Sequence, residues 1–272
     1  MPTQAELCKQ FQALHQADEA FIIPNPWDAG TARMMQGMGA KALATTSGGF
    51  ALTLAKGDGE PTIEEKLAHC RALVNATDIP INADFEDGFA DDPSGVATNV
   101  GKVIETGVAG CSVEDFSRAG QSLFDANHAA ERIAAAAEVV AGLDFPFMLT
   151  ARAENLIRGV QDLDDTIRRL QAYEAAGANV LYAPGIGSLE DLAKVTAEVN
   201  APVNVLGVLI PGASLTDFQN AGAQRVSIGG ALTYVAMNPV IACNKAMLND
   251  GDFSWVSQMA SGREINELLS QG

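Results

Sequence analysis

Positive charge is scarce in this chain. The 272 residues include 17 Lys and Arg against 34 Asp and Glu, which gives a net charge of −17, and no basic cluster is longer than the pair Arg168-Arg169. A surface that binds phosphate groups needs concentrated positive charge. We therefore expect neither nucleic acid nor an anionic membrane as a partner, and we interpret the acidity as that of a soluble, self-repelling surface.

Long apolar runs and closely spaced cysteines are also lacking. No run reaches the roughly 18 residues that a membrane span requires, and the polar N-terminal segment has no apolar stretch of the kind found in secretion signals. The four cysteines are far apart (Cys8, Cys70, Cys111 and Cys243), so the spacing indicates neither a zinc knuckle nor a disulfide framework. We expect a cytoplasmic protein with reduced thiols.

Eight short apolar runs recur along the chain, each followed by a polar or glycine-rich loop and then by a helical pattern. Such runs are typical of parallel strands buried on both faces. Their alternation with helices predicts a closed (β/α)8 TIM barrel, of the α/β class. The alternative is an open doubly wound sheet, which usually has a glycine-rich dinucleotide turn after its first strand; NPWDAG (25–30) is no such turn. The runs are FIIPN (from Phe21), KALATT (Lys41), IPINAD (Ile79), AGCSVED (Ala109), FPFMLTAR (Phe145), ANVLYAP (Ala178), PVNVLGV (Pro202) and RVSIGG (Arg225).

We expect a single domain, because barrels of this kind contain about 250 residues and no linker-like segment interrupts the chain. The barrel and an N-terminal helix would span residues 1–240. A helical segment over residues 241–272 would pack on the barrel or on a neighbouring subunit.

The helices between the runs have recognisable ends. Thr62 and Glu65 have the spacing of a capping box, and Asp92 precedes a proline that suits a first helical turn. Ser188 and Ser214 begin two more helices, each with an acid three residues later. Four glycines are predicted to end helices just before the next strand: Gly39, Gly107, Gly177 and Gly222.

In a barrel, chemistry is expected at the C-terminal ends of the strands. The three histidines (His15, His69 and His128) lie in helical patterns, where we expect a satisfied or solvated side chain. No lysine ends a strand, which argues against a Schiff-base aldolase. The strand ends instead have carboxylates, one arginine and a glycine-rich turn.

The carboxylates are concentrated in INADFEDGFADD (81–92). Acids that face one cavity raise each other's pKa unless a cation neutralises them, and a hard divalent ion such as Mg²⁺ takes oxygen ligands and keeps several waters. Asp84 and Glu86 are two residues apart, so on an extended strand both would point to the same side, and Glu114 ends the next run. We therefore predict a metal site at these three acids. The last two acids of the segment are interpreted as loop and helix-cap residues.

These residues together resemble the isocitrate lyase / phosphoenolpyruvate mutase superfamily, over nearly the whole chain. The family motif D-x-D-x-G-x-G aligns without gaps with DFEDGFA (84–90), with Glu86 in place of the second aspartate. The strand-four motif L-E-D matches VED (113–115), and A-R-x-[DE] matches ARAE (151–154). The family's S-G-G/L turn matches SGG (47–49), and Asp58 matches the acid of the loop after strand two.

The resemblance implies a role for each matched residue. Asp84 would bind Mg²⁺ (or Mn²⁺) directly, and Glu114 would reach the ion through water, with Glu86 completing the metal set. The catalytic residues would be Asp58, Arg152 and Glu114. The substrate would contact backbone amides of the SGG turn, with Arg152 clamping a carboxylate; an ion pair of Arg152 with Glu154 or a ring acid is the alternative. The predicted substrate-binding residues are Thr45, Ser47, Gly48, Gly49, Arg152, Glu154 and Asn204.

The loop after strand four departs from the family. Isocitrate and methylisocitrate lyases have a cysteine-containing loop there, whereas this chain has DFSRAGQSLFDANH (115–128). The Lys/Asn-bearing gating loop of the mutases is absent too, and the polar groups available are Ser117, Arg118 and Gln121. Cys111 lies within the fourth strand and is interpreted as a small core residue.

The resemblance implies a Mg²⁺-dependent lyase or decarboxylase acting on a small 2-oxo or hydroxy polycarboxylic acid through an enolate. Two alternatives stay open: P–C bond chemistry on a phosphonate, and a barrel that binds a metabolite without turnover. The apolar, helical tail from Leu232 to Leu269 corresponds to a segment that exchanges between neighbours in the family. By this likeness we expect a homo-oligomer, either a dimer or a tetramer.

Overall fold

Eight parallel strands surround the core of the protein. The computed structural model describes residues 2–272, and the strand order is β1-β10-β9-β8-β7-β4-β3-β2. All eight predicted strands are present, and the predicted barrel is confirmed. The strands are β1 (Phe21–Ile23), β2 (Leu43–Ala44), β3 (Ile81–Asp84), β4 (Gly110–Glu114), β7 (Met148–Arg152), β8 (Val180–Tyr182), β9 (Val203–Leu206) and β10 (Ala223–Ser227).

Hydrogen bonds beyond the regular ladders bring the two outermost strands of this order together. The amide of Ala44 in β2 donates to the carbonyl of Pro24, just after β1, over 3.0 Å. Asn25 stabilises the same junction between β1 and β2, since its Nδ2 donates to the carbonyl of Thr45 (3.1 Å) and its Oδ1 accepts from the amide of Ile228 (3.0 Å). One short polar side chain therefore connects the C-terminal ends of β1, β2 and β10.

Eleven α-helices are present in residues 2–272, and most of them cover the outside of the barrel. The predicted capping box of Thr62 and Glu65 is formed, and Asp92 caps a helix that begins at Pro93. The four glycines predicted to end helices all have positive φ, between 87° and 101°. The helices are α1 (Gln4–Gln16), α2 (Ala29–Gly37), α3 (Ser47–Thr53), α4 (Ile63–Ala76), α5 (Pro93–Ile104), α6 (Ala126–Ala141), α7 (Leu163–Ala175), α8 (Leu189–Ala197), α9 (Leu215–Asn220), α10 (Ala231–Lys245) and α11 (Gly262–Gln271).

Helix α1 covers the N-terminal ends of the strands. Phe11 is fully buried, and its ring lies so close to Gly110, the first residue of β4, that a Cβ there would be 3.0 Å from the ring. The same Cβ would be 2.5 Å from the backbone oxygen of Met148, which requires glycine at this position. Because α1 occupies the N-terminal end of the barrel, the opposite end is the one available to a ligand.

Two regions differ from the sequence expectations. The loop after β4 forms a small antiparallel hairpin, β5 (Phe116–Ser117) with β6 (Ser122–Leu123). Helix α10 runs through residue 240, where the boundary of the C-terminal segment was expected. Beyond it lie a π-helical turn (Ala246–Asp250) and a 3-10 segment (Ser254–Gln258).

The last helix returns to its own barrel. Arg33 of α2 donates from Nε to the carbonyl of Leu269 in α11 over 2.9 Å. Gly37 of α2 faces Leu268, whose carbonyl oxygen would be 2.2 Å from a Cβ at that position. No helix within residues 2–272 is both long enough and apolar enough to cross a membrane.

The three histidines lie in helices, as expected, but two of them are buried and not solvated. His15 and His69 are 4% and 6% exposed, and burial lowers the pKa of each to about 3. His69 stacks on Phe50 and contacts the carbonyl of Trp27 over 3.0 Å. Trp27 thereby takes part in packing beside the barrel mouth.

Candidate active site

Three strand-end residues meet at the C-terminal face of the barrel. Asp84 ends β3, Glu114 ends β4 and Arg152 ends β7, and Glu114 pairs with Arg152 in the register of the sheet. Arg152 Nη1 lies 2.8 Å from Asp84 Oδ1, and Nη2 lies 3.1 Å from Glu114 Oε2. The carboxylates predicted to converge from separate strands do so around this guanidinium.

A third acid completes the surroundings of Arg152. Glu154 Oε1 accepts from Arg152 Nε over 3.0 Å, and it lies 2.8 Å from Nη2. Arg158 lies on the other side of Glu154, with Nη2 3.3 Å from Oε2. The alternative interpretation of Arg152, an ion pair with Glu154 and ring acids, is therefore the arrangement in this structure. Its proposed contact with a substrate carboxylate stays a prediction.

Glu86 lies in the same region, but for a different reason from the one predicted. Strand β3 ends at Asp84, and Glu86 has a φ of +49° in the following turn, so the extended-strand argument is wrong. The turn directs its carboxylate towards two cations: Arg118 Nε is 3.0 Å from Oε2, and Lys66 Nζ is 3.6 Å from Oε1. Lys66 is fully buried in α4, and neither its Nζ nor Glu86 Oε1 has a hydrogen-bond partner among residues 2–272.

The acids differ in how readily they ionise. Burial raises the pKa of Glu114 well above its ordinary value, and the neighbouring Glu154 raises it further. Burial also raises the pKa of Glu86, although Lys66 opposes this shift. Burial acts most strongly on Asp84 and opposes its ionisation, but the charges of Arg152 and Lys66 and the hydrogen bond from Ser47 together outweigh burial and hold the pKa of Asp84 below its usual value. Asp84 is therefore the acid best prepared to remain a carboxylate.

Two adjoining cavities open beside these groups. One, of about 230 Å³, is lined by Asp84, Arg152 and Asn204 and reaches into the barrel. The other, of about 340 Å³, is lined by Glu86 and Glu114 together with three arginines, Arg118, Arg152 and Arg158. Both cavities share Ser47, Asp58 and Arg152 as lining residues.

The predicted substrate-contacting amides are partly occupied. Ser47 donates from its backbone amide to Asp84 Oδ2 over 2.9 Å, and Gly49 donates to Thr46 Oγ1 over 3.4 Å. Within the described residues, the amide of Gly48 is the one in this turn that has no hydrogen-bond acceptor. Thr45 is also engaged, because its Oγ1 accepts from the amide of Asp84 over 2.8 Å. These contacts hold the SGG turn against β3.

Asn204 lines the first cavity but is held on both sides. Its Oδ1 accepts from Arg225 Nε over 2.8 Å, and its Nδ2 donates to Ser227 Oγ over 2.9 Å. Tyr182 lies near Arg152, whose guanidinium is 5.2 Å from the ring centre. Asp58 is exposed and lies near Gly48, where a Cβ would be 3.5 Å from its carboxylate. The structure thus brings every predicted site residue to this end of the barrel, while their roles stay predictions.

Two further acids of the matched motifs have structural partners. Asp115 accepts from the Tyr173 hydroxyl over 2.5 Å, from Arg169 Nη1 over 2.9 Å and from the amide of Glu154 over 2.8 Å. Asp87 accepts from the amide of Arg118 over 2.9 Å. These bonds fix the position of Glu154 and the course of the hairpin over the second cavity.

The residues fit a hydrated divalent ion. No group of three or more Asp, Glu, His or Cys side chains in residues 2–272 is placed to hold a metal by itself. The expected site needs only one direct carboxylate, since the remaining ligands can be water. Asp84 keeps unused lone pairs beside its bonds to Arg152 and Ser47, and Glu86 Oε1 is a buried acceptor without a hydrogen bond.

Three cations at or near the site were not predicted from the sequence: Lys66, Arg158 and Arg225. Lys66 and Arg158 lie in a helix and a loop, so no strand-end rule could find them. Arg225 offered a signal, because a charged residue within an otherwise apolar predicted strand needs an explanation. Tyr234 of α10 also lines the first cavity, and nothing in the local pattern indicated this position.

Comparison with known proteins identifies the family of the chain. The model of the phosphoenolpyruvate phosphomutase family matches residues 11–248. The chain belongs to this family. It is 29% identical to the "probable 2-methylisocitrate lyase 2" of Corynebacterium glutamicum, over 96% of this chain and 87% of that protein.

Two solved structures extend the comparison. A "putative lyase/mutase" from Burkholderia cenocepacia is 45% identical, with a TM-score of 0.93 over 97% of this chain and 95% of that one. A phosphonopyruvate hydrolase solved with oxalate and Mg²⁺ shares the fold, with a TM-score of 0.86 and 22% identity over 99% of this chain and 95% of that one. The names of the more similar proteins thus include lyases and mutases, while the likeness to the hydrolase is one of fold.

Proposed function

We propose that this protein is a Mg²⁺-dependent lyase that cleaves or decarboxylates a small 2-oxo or hydroxy polycarboxylic acid. The observation that carries the proposal is the convergence of Asp84, Glu86 and Glu114, from different segments, on two adjoining cavities at the C-terminal face. Asp84 would hold the ion directly, with Glu86, Glu114 and Asp58 acting through water. Bound there, Mg²⁺ would polarise the substrate oxygens and stabilise the negative charge that develops on cleavage.

The chain's own residues would supply the remaining functions. Arg152 would orient a substrate carboxylate while its three acid partners hold the guanidinium in place. The amide of Gly48 points from the start of a helix and would donate to a developing oxyanion. The β5–β6 hairpin would limit the access of water to the second cavity, because Arg118 lines that cavity and donates to the carbonyl of Pro61 over 2.9 Å.

Among residues 2–272, no side chain at the site is placed to replace the cysteine that isocitrate and methylisocitrate lyases have in the loop after strand four. Ser117 is buried and donates to Asp91 over 2.8 Å, and Cys111 is fully buried in β4, where burial raises its pKa. Decarboxylation requires only one proton after the bond breaks, which water can deliver. This favours a decarboxylase over a lyase that must deprotonate a hydroxyl group.

A substrate panel tests the proposal. Oxaloacetate, methylisocitrate-like acids and phosphonopyruvate would each be assayed with Mg²⁺ and with a chelator. We expect turnover of a 2-oxo or hydroxy polycarboxylate that stops when the chelator is added. Undiminished turnover with the chelator would refute the metal assignment. Mg²⁺-dependent oxalate binding without turnover of any substrate would instead favour the non-catalytic alternative.

Phosphonate chemistry is the second candidate, and the match to the phosphomutase family model favours it. The same acids and amides would serve a phosphonopyruvate-like substrate. The arginines that line the second cavity would pair with the phosphonate group. Turnover of phosphonopyruvate alone in the panel would establish this second candidate.

We also propose that the protein forms a homo-oligomer. Helix α10 is apolar and has one buried residue, Thr233, while Tyr234 and Val235 are 63% and 60% exposed. Such a face is unusual on a monomer and is typical of an interface. Size-exclusion chromatography with light scattering would measure the mass, and a monomer at micromolar concentration would contradict the proposal.

A further inference from the structure

Arg225 is a buried cation without a carboxylate partner. It lies within β10 and is 3% exposed. Its hydrogen bonds go from Nε to Asn204 Oδ1 (2.8 Å), from Nη1 to His15 Nε2 (3.2 Å) and from Nη2 to Thr150 Oγ1 (3.2 Å). All three acceptors belong to uncharged side chains. Among residues 2–272, no carboxylate lies within ion-pair distance of this guanidinium or acts on its pKa.

His15 cannot supply the missing charge. Its Nδ1 lies 2.8 Å from the carbonyl of Phe11, so Nδ1 is the protonated nitrogen and Nε2 accepts from Arg225. An isolated buried cation is costly, and burial lowers the pKa of Arg225 to about 10. Arg152 has three acids as ion-pair partners and Arg169 has two. Arg132, which is also buried, has no ion pair, but it donates to three backbone carbonyls, and three nearby carboxylates act on its pKa. Burial of Arg225 therefore destabilises the ligand-free protein, because its charge has no carboxylate partner there.

Arg225 lines the same cavity as Asp84 and Arg152. Arg225 precedes Ser227, the last residue of β10, by two positions. Its Cα therefore lies about 7 Å from the C-terminal end of the strand, towards the interior of the barrel. A guanidinium has five N–H groups, and three of them are used by Asn204, His15 and Thr150. Two N–H groups, one on each Nη, therefore have no acceptor among residues 2–272.

Arg225 also determines what its neighbours present to the cavity. Because a guanidinium can only donate, the Asn204 amide must turn its oxygen towards Arg225 and its NH₂ group towards Ser227. Tyr182 stays protonated, since burial raises its pKa to about 12. The lining near Arg225 therefore presents donors, whereas the acid Asp84 belongs to β3, which is four places from β9 in the order of the eight strands and so lies across the barrel from Asn204. One end suits a metal and the other suits an anion.

We propose that Arg225 forms, with Asn204, a subsite inside the barrel for the second carboxylate of a dicarboxylate substrate. The inference rests on the proposed function, because the first carboxylate is taken to bind at the Asp84 end. The inference assigns a binding site to the second carboxylate of the polycarboxylic substrate. A monocarboxylate would leave the Arg225 charge unpaired.

A matched pair of ligands tests the subsite. 3,3-Difluorooxaloacetate and 3,3-difluoropyruvate share the 2-oxo acid end and differ in the distal carboxylate. Isothermal titration with Mg²⁺ should show that the wild-type protein binds the dicarboxylate about 10- to 100-fold more tightly, as expected for a charge-assisted bond to a buried group. In Arg225→Met this preference should disappear while oxalate affinity is retained, and Arg225→Lys should keep part of the preference.

The outcomes separate the subsite from the proposed function. Wild-type protein that binds oxalate with Mg²⁺ but shows no preference for the dicarboxylate would overturn the subsite alone. An Arg225→Met variant that keeps the wild-type preference would overturn it too. Absence of Mg²⁺-dependent oxalate binding in the wild-type protein would overturn the proposed function, and the subsite with it. Because the wild-type preference needs no substitution, the test holds even if Arg225→Met fails to fold; circular dichroism would identify that case.

Discussion

Substitution of Asp84 tests the site most directly, because the structure indicates both how much stability the variant should lose and how its response to Mg²⁺ should change. Asp84 accepts from the amide of Ser47 over 2.9 Å and from Arg152 over 2.8 Å. In Asp84→Ala the amide loses its acceptor, which costs about 1–3 kcal/mol. Arg152 keeps Glu114 and Glu154, so the larger cost of an unpaired buried charge does not apply. The metal-free variant should therefore fold, with slightly lower stability.

The stabilisation by Mg²⁺ should then differ between the wild-type protein and Asp84→Ala. At an ion concentration of about 100 times Kd, binding adds about 2.7 kcal/mol to the free energy of unfolding of the wild-type protein. If the substitution weakens binding about 100-fold, the same concentration adds only about 0.4 kcal/mol. Urea unfolding with and without Mg²⁺ measures both values, and turnover should be lost in parallel.

Asp91→Asn is the matched control for this experiment. Asp91 belongs to the same acidic segment but is exposed and bonds to Ser117, so its response to Mg²⁺ should equal that of the wild-type protein. An Asp84→Ala variant that gains the wild-type stabilisation from Mg²⁺, or that keeps near-wild-type turnover, would refute the assignment of Asp84 as the direct ligand.

Three more predictions concern pH, folding and assembly. The pKa of Glu114 is raised in the folded state, so the contribution of Glu114 to stability is present below the unfolded pKa of about 4.3 and is lost as pH rises through the folded pKa. In urea unfolding of the metal-free protein between pH 5 and 8, Glu114→Gln should reduce this loss of stability. An unchanged dependence of the unfolding free energy on pH would contradict the reasoning. Asp115→Ala leaves Arg169 and Tyr173 without their shared acceptor and should lower the free energy of unfolding by about 3–5 kcal/mol, whereas a loss under about 1 kcal/mol would show that this network is dispensable. Val235→Glu, on the exposed face of α10, should shift the protein to smaller species in light scattering, and an unchanged mass would place the interface elsewhere.

Local sequence patterns predicted the elements of the fold well. The eight apolar runs became the eight barrel strands because strands buried on both faces must be apolar along their whole length. Caps such as Thr62 and turn glycines such as Gly177 depend only on backbone chemistry within a few residues. The end of the barrel that holds the site followed from chain direction alone, because parallel strands present their C-terminal ends together.

The charges around those acids could not be predicted in the same way. Lys66 and Glu86 are 20 positions apart in the chain, and Arg118 reaches Glu86 only because a hairpin follows β4. These pairs arise from tertiary packing, and the packing decides which acids are neutralised and which pKa values rise. The left-handed turn at Glu86 likewise replaced the extended geometry expected from its spacing with Asp84.

The sequence by itself determined a barrel of this family with acids at the ends of its third and fourth strands, since strand periodicity and residue type are local properties. Only the tertiary structure decided that Arg152 lies among three carboxylates and that Arg225 has none. The physical reason is that the free energy of a buried charge depends on its distance from every other charge, and those distances exist only once the strands have closed around the cavity.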